Sequence, residues 1–143
     1  MRSLFLLFSF VLLTTCSGDS VDNPNCKFLV DYKVNLTINL NLPEYSQLKF
    51  AGNSIYEPNY GNAGIIITSL GNNQYFAWDA SDPNHVPSNC SAVKGTGLEG
   101  TCGCGDGNKY SFVNGQPLEN ASLVCALKNY RVEQNGDNLL ISN

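Results

Sequence analysis

From Phe28 to Leu42 every even position is apolar (Phe28, Val30, Tyr32, Val34, Leu36, Ile38, Leu40, Leu42), and the odd positions are polar except Leu29. Period-2 alternation places one row of side chains on one face, so it predicts a half-buried strand. The run exceeds the usual strand length of about 3 to 10 residues, and a bend or split is expected near Asn35. Pro43 to Gly64 is rich in Pro, Gly and Asn and reads as a connection, with one short strand or helical turn around Ser46 to Phe50.

Gly64–Leu70 and Gln74–Asp79 are β-branched and aromatic runs on either side of Gly71-Asn72-Asn73, which predicts a hairpin. Asn108–Val113, the turn pair Asn114-Gly115 and Gln116–Leu118 predict a second. After Ala121 come Ser122–Leu127, Tyr130–Gln134 and Asn138–Ser142, with Asn135-Gly136-Asp137 as a third turn. No segment sustains helical periodicity. The expected fold is all-β, a sandwich or a pair of small sheets.

The start of the chain follows different rules. Arg2 precedes a ten-residue run, Leu4 to Leu13, of apolar or small residues. A bilayer-spanning helix takes about 20, so this is an export signal rather than an anchor. Leu13-Thr14-Thr15-Cys16 resembles a bacterial lipoprotein cleavage site, with Thr15 departing from the usual small residue; ordinary cleavage near Ser17 is the alternative. The expected organisation is a signal peptide over 1–15, a flexible tether over 16–25 that begins with lipid-modified Cys16, and one β domain over 26–143. The expected location is the bacterial cell envelope, on a membrane through the lipid alone.

Eight Lys and Arg stand against twelve Asp and Glu, a formal net charge of −4, and signal cleavage would remove Arg2. With no basic cluster, nucleic acid and anionic membrane surfaces are excluded as partners. Five cysteines besides Cys16 in a short exported domain predict disulfides with one thiol left over. Cys26 opens the first strand and Cys125 the final strand group, and such strands commonly neighbour each other, so these two are expected to pair. Asn35, Asn89 and Asn120 open glycosylation-type triplets, which carry no weight in a bacterial envelope protein.

Chemistry concentrates between Tyr75 and Pro117, which holds His85, Trp78, Cys90, Cys102 and Cys104. His85 is the only histidine of the chain; in a polar loop it is either a solvent-facing residue or a metal ligand. Cys102 is either a buried inert thiol or bridged to Cys90. A Cys102–His85 nucleophile and base would lack the third group that orients the base. Gly103, Gly105 and Gly107 could cradle an anion, but no helix follows to add its dipole, and a tight hairpin tip is the better reading. Asp79, Asp82 and Asp106 could hold Ca²⁺, though turn-capping accounts for them equally. Trp78 is expected in the core.

The order of these residues resembles a Rieske domain, in which a C-x-H loop and a C-x-x-H loop on facing hairpins hold a [2Fe–2S] cluster, two cysteines on one iron and two histidines on the other. "YFAWDASDPNH" stands at the first loop, sixteen residues lie between His85 and Cys102, and "CGCGDGNKYSFVNGQPL" stands at the second. The closing Tyr130–Ile141 stretch resembles the family's last hairpin.

The resemblance implies a Rieske-like antiparallel β-sandwich with two hairpin-borne loops, His85 and Cys102 as remnant ligand positions, and a Cys90–Cys104 disulfide beside a free Cys102. It fails at two ligands: Pro83 stands two before His85, and Gly105 stands three after Cys102.

The expected function is therefore that of an envelope-tethered, non-enzymatic binding or structural module without a cofactor. Two alternatives remain: an electron-transfer protein with a [2Fe–2S] cluster on Cys102, Cys104, Cys90 and His85, and an unrelated secreted β-sandwich binding protein. On the location, Cys16→Ala is expected to release the protein from membranes or block its processing. A mature N-terminus at Ser17 or later without acyl mass, read by mass spectrometry, would contradict lipidation.

Overall fold

The computed structural model describes residues 26–143; Cys16, the signal and the tether lie outside them. Ten strands form two antiparallel sheets. They are β1 (Asn35–Asn39), β2 (Ser54–Glu57), β3 (Ile65–Gly71), β4 (Gln74–Asp79), β5 (Val93–Lys94), β6 (Glu99–Cys102), β7 (Lys109–Ser111), β8 (Pro117–Leu118), β9 (Asn129–Asn135) and β10 (Asn138–Ser142). The larger sheet has the order β1-β10-β9-β4-β3-β2 and the smaller β5-β6-β7-β8. Ser46–Lys49 is a single 3₁₀ turn that buries Leu48.

β3 explains how the two sheets share one interior. Ile65 and Ile67 join Leu36, Ile38, Ile55, Ala77, Leu139 and Ile141 on one side. Ile66 faces the other way, into a cluster with Trp78, Val93, Tyr110, Phe112 and Leu127. A strand covered on both faces needs an unbroken apolar run, and Ile65-Ile66-Ile67 supplies it. The β3–β4 hairpin turns on Asn72 and Asn73, both at positive φ (51° and 59°), and Gly71 pairs with Gln74. Asparagine tolerates this conformation, which matches the strand twist.

Trp78 clamps the small sheet to this wall. Its ring is buried, and its Nε1–H donates to the Phe112 carbonyl at 2.8 Å. Gly115, at φ +72°, passes so close that a Cβ there would lie 2.6 Å from the indole ring. The Asn-Gly turn therefore both reverses the chain and leaves room for tryptophan.

Three expectations need correction. The alternating segment is a strand only over Asn35–Asn39; Phe28, Val30 and Tyr32 are exposed. Residues 30–34 are instead fastened by side chains: Asn62 bonds both the N–H and the C=O of Val30, and Asn143 bonds the Val34 N–H and the Tyr32 C=O. Ser122–Leu127 is no strand either, because the Asn84 amide takes the backbone partners of Cys125, accepting from its N–H at 3.0 Å and donating to its C=O at 2.7 Å. Finally, Cys102 ends strand β6 rather than sitting in a loop, and the short β5–β6 hairpin carried no alternation long enough to reveal it.

The wholly buried Asp79 carboxylate ties the larger sheet together. Its Oδ2 accepts from Tyr130 Oη at 2.7 Å and from the Asn62 backbone N–H and side-chain amide at 2.8 Å each, and its Oδ1 accepts from the Ser81 N–H at 2.9 Å. Gly61 passes against this pair, where a Cβ would lie 2.5 Å from both the carboxylate and the phenol oxygen. Tyr130→Phe is expected to cost about 1–3 kcal/mol in urea unfolding, because a buried acceptor loses its donor. Tyr56→Phe, which removes an exposed bond to the Ala63 carbonyl, is expected to cost less.

Candidate functional site

Two loops meet at one end of the small sheet, and each carries the same short pattern: Asp82-Pro83-Asn84 and Asp106-Gly107-Asn108. In both, the aspartate Oδ1 accepts the N–H of the asparagine two residues on, at 2.8 Å for Asp82 and 3.3 Å for Asp106. These turns aim the acids. Asp82 is wholly buried and its carboxylate accepts from Tyr110 Oη at 2.5 Å and Asn108 Nδ2 at 2.9 Å. Asn84 Nδ2 in turn donates to Tyr110 Oη at 2.8 Å.

Cys102 lies under this network. It is 4% exposed, unbridged, and held by its N–H to the Asn108 carbonyl at 2.8 Å. Its sulfur and one oxygen each of Asp82 and Asp106 all lie within 4.8 Å of one another. Burial, reinforced by both carboxylates against a backbone hydrogen bond from Cys104, pushes the thiol up to about 12. An uncharged, inaccessible thiol is a poor nucleophile. Burial and the Asp82 bond likewise raise Tyr110 well above the usual phenol range, and burial with the Asp79 bond does so for Tyr130.

His85 sits at the rim, with Nδ1 2.6 Å from the Val86 carbonyl and Nε2 3.8 Å from Asp106 Oδ2. Cys90 and Cys104 are joined by a disulfide with Cα atoms 4.8 Å apart, and Ser88 Oγ lies 3.2 Å from the Cys90 sulfur. The Cys26–Cys125 disulfide lies apart from this group and bridges the first described residue to the loop before β9.

The Asp79, Asp82 and Asp106 trio weighed for Ca²⁺ does not assemble: Asp79 belongs to the Tyr130 network, and Cys102 stands in its place beside the other two. Asn84, Asn108 and Tyr110 escaped sequence reasoning, although the repeated Asp-x-Asn would have drawn attention to both asparagines. A groove lined by Leu70, Tyr75, Phe76, Val113 and Val132 shares no residue with the loop pair.

A Rieske cluster needs two thiolates and two imidazoles. At the corresponding positions stand one thiol, Cys102, and one imidazole, His85, with Pro83 and Gly105 offering no donor side chain. Cys90 and Cys104 are consumed by their disulfide. The residues present do not fit the cluster.

No family model matches the sequence, and no curated protein does. Among solved structures, a chain from the complex of reduced oxygenase and oxidised ferredoxin in carbazole 1,9a-dioxygenase matches with a TM-score of 0.51 at 15% identity, over 78% of this chain and 94% of that one. The ferredoxin of carbazole 1,9a-dioxygenase from Nocardioides aromaticivorans IC177 matches with a TM-score of 0.47 at 17% identity, over 76% and 95%. The first of these likenesses shows the fold, an all-β Rieske-like arrangement.

The three protonated groups set an alkaline limit. In the unfolded chain Cys102 and the two tyrosines ionise near 9.0 and 10.0, and the fold raises all three. Their contribution is fully present below those values and is lost as pH rises toward the folded values. Stability in urea is expected to hold up to about pH 9 and fall beyond it, and Cys102→Ser is expected to move the onset toward the tyrosine range. A flat profile from neutral pH to pH 11 would contradict the buried assignments.

Proposed function

We propose that this chain is a lipid-anchored envelope protein whose Rieske-like fold works without an iron–sulfur cluster, as a binding or structural module rather than an enzyme. The observation that carries this reading is the donor set at the loop pair: one imidazole and one free thiol, with the neighbouring Cys90 and Cys104 oxidised to a disulfide. Two ligands do not retain a cluster that requires four. The two loops are joined without an iron–sulfur cluster, since the disulfide links one to the other and the Asp82 bonds to Asn108 and Tyr110 link them a second time.

Electron transfer is the second reading, favoured by the likeness to a chain from a ferredoxin complex. It would require the disulfide to open so that Cys90, Cys102, Cys104 and His85 could all serve as ligands. An oxidising compartment opposes that.

The test is iron and acid-labile sulfide per chain on protein made in an export-competent host, with visible absorption. The expected result is a colourless protein without stoichiometric iron. Close to two irons per chain, with a paramagnetic signal on reduction, would restore electron transfer.

A further inference from the structure

The same loop pair carries a donor set of another kind. Asp82, Cys102 and Asp106 converge within 4.8 Å, and His85 Nε2 lies 3.8 Å from the Asp106 carboxylate. His85 and Cys102 stand at remnant ligand positions of the Rieske resemblance, but Asp82 and Asp106 do not, so the set differs from that of a cluster. We propose that Asp82, Cys102, Asp106 and His85 form a mononuclear site for a borderline divalent cation, Zn²⁺, which closes the two loops on each other.

Several separate features point to a cation. Buried charges in proteins are paired or coordinate metals, yet among the described residues no lysine or arginine lies within 4.0 Å of the buried Asp82. Cys102 is nine-tenths buried, bridged to nothing, and its thiol is set against two carboxylates rather than in an apolar pocket. The His85 Nδ1 contact with a carbonyl, which can only accept, requires the proton on Nδ1, and Nε2 faces the Asp106 side. A backbone carbonyl fixing one ring nitrogen is how metal-binding imidazoles are oriented.

Donor chemistry selects the ion. Thiolate, imidazole and two carboxylates suit Zn²⁺, whereas Ca²⁺ and Mg²⁺ take oxygen ligands alone. Bond lengths of about 2.0–2.3 Å place tetrahedral ligand atoms about 3.3–3.8 Å apart, so Asp82, Cys102 and Asp106 need to close by about 1.5 Å or less, and His85, outside that group, has to move in from the rim. Tyr110, Asn108 and the Asn84 N–H already hold Asp82 from behind, as outer-shell groups hold metal ligands. Binding converts the Cys102 thiol to a thiolate, with its proton released to solvent and a Zn–S bond formed.

This inference rests on the cluster-free reading. The experiment is calorimetric titration of the chelator-treated mature protein with ZnCl₂, in buffers of different ionisation enthalpy, and a parallel titration with CoCl₂ followed by absorption. Expected are one Zn²⁺ per chain, unaffected by Ca²⁺ or Mg²⁺, net proton release, and a thiolate-to-Co²⁺ charge-transfer band. Cys102→Ser is expected to abolish the band, and the surface variants His85→Gln and Asp106→Asn, which keep the Asp82 bonds to Tyr110 and Asn108, to weaken Zn²⁺ about 10-fold or more.

No binding by an iron-free wild-type protein, or a Co²⁺ spectrum without the charge-transfer band, overturns the site and leaves the cluster-free reading standing. Stoichiometric iron and sulfide in the protein as purified overturns both.

Discussion

Everything in this fold hangs from four residues, Asp79-Ala80-Ser81-Asp82, that lead out of β4 between the two sheets. All four are buried, and both aspartates are wholly so. Isolated carboxylates cost several kcal/mol to bury, and the cost is offset only where donors replace the lost water. Asp79 recruits Tyr130 and Asn62, and so fixes β9 and the loop before β3. Asp82 recruits Tyr110 and Asn108 from the small sheet, and through Asn84 the backbone of Cys125. One short segment therefore sets the position of both halves of the core, where burial, and after it the bond to each carboxylate, keeps a tyrosine un-ionised.

The disulfides act on what this segment leaves loose. Cys26 and Cys125 are separated by 99 residues, and closing so long a loop stabilises by about 4–5 kcal/mol in the chain-entropy model. The benefit goes to residues 26–34, which have no ladder partner and depend on the Asn62 and Asn143 side chains. Cys90 and Cys104, 14 apart, close the other end, where the small sheet is narrow and its hairpins short. There the covalent bond joins the loop that carries Asp82 to the loop that carries Asp106.

These links frame the chemistry at the loop pair. A buried thiol, two carboxylates and one imidazole make neither a nucleophile nor a redox cluster: the thiol is held protonated, and the histidine lacks a second histidine. They do make a compact set of donors of three kinds, already braced by outer hydrogen bonds. A spacing-based comparison with the Rieske pattern looks two residues before His85 and finds Pro83. The donor is Asp82, one place earlier, because the Asp-Pro-Asn turn points that carboxylate inward.

The sequence alone determined the all-β class, since alternation and β-branched runs have only one periodicity that buries them. It marked the hairpins at Asn72-Asn73, Asn114-Gly115 and Gly136-Asp137, where Asn72, Asn73, Gly115 and Gly136 take positive φ. It bounded the cofactor chemistry too, because a single histidine is a count that no folding can change. Tertiary structure decided the rest. Phe28, Val30 and Tyr32 alternate as well as Leu36 and Ile38 do, but β10 has room to pair only with Asn35–Asn39. β5 and β6 are too short to leave a periodic trace, and Val93 sits in a core built mainly by distant residues. The Asp82, Cys102 and Asp106 cluster joins positions far apart in the chain, and local pattern carries no information about which side chains a fold will bring within 4.8 Å of one another.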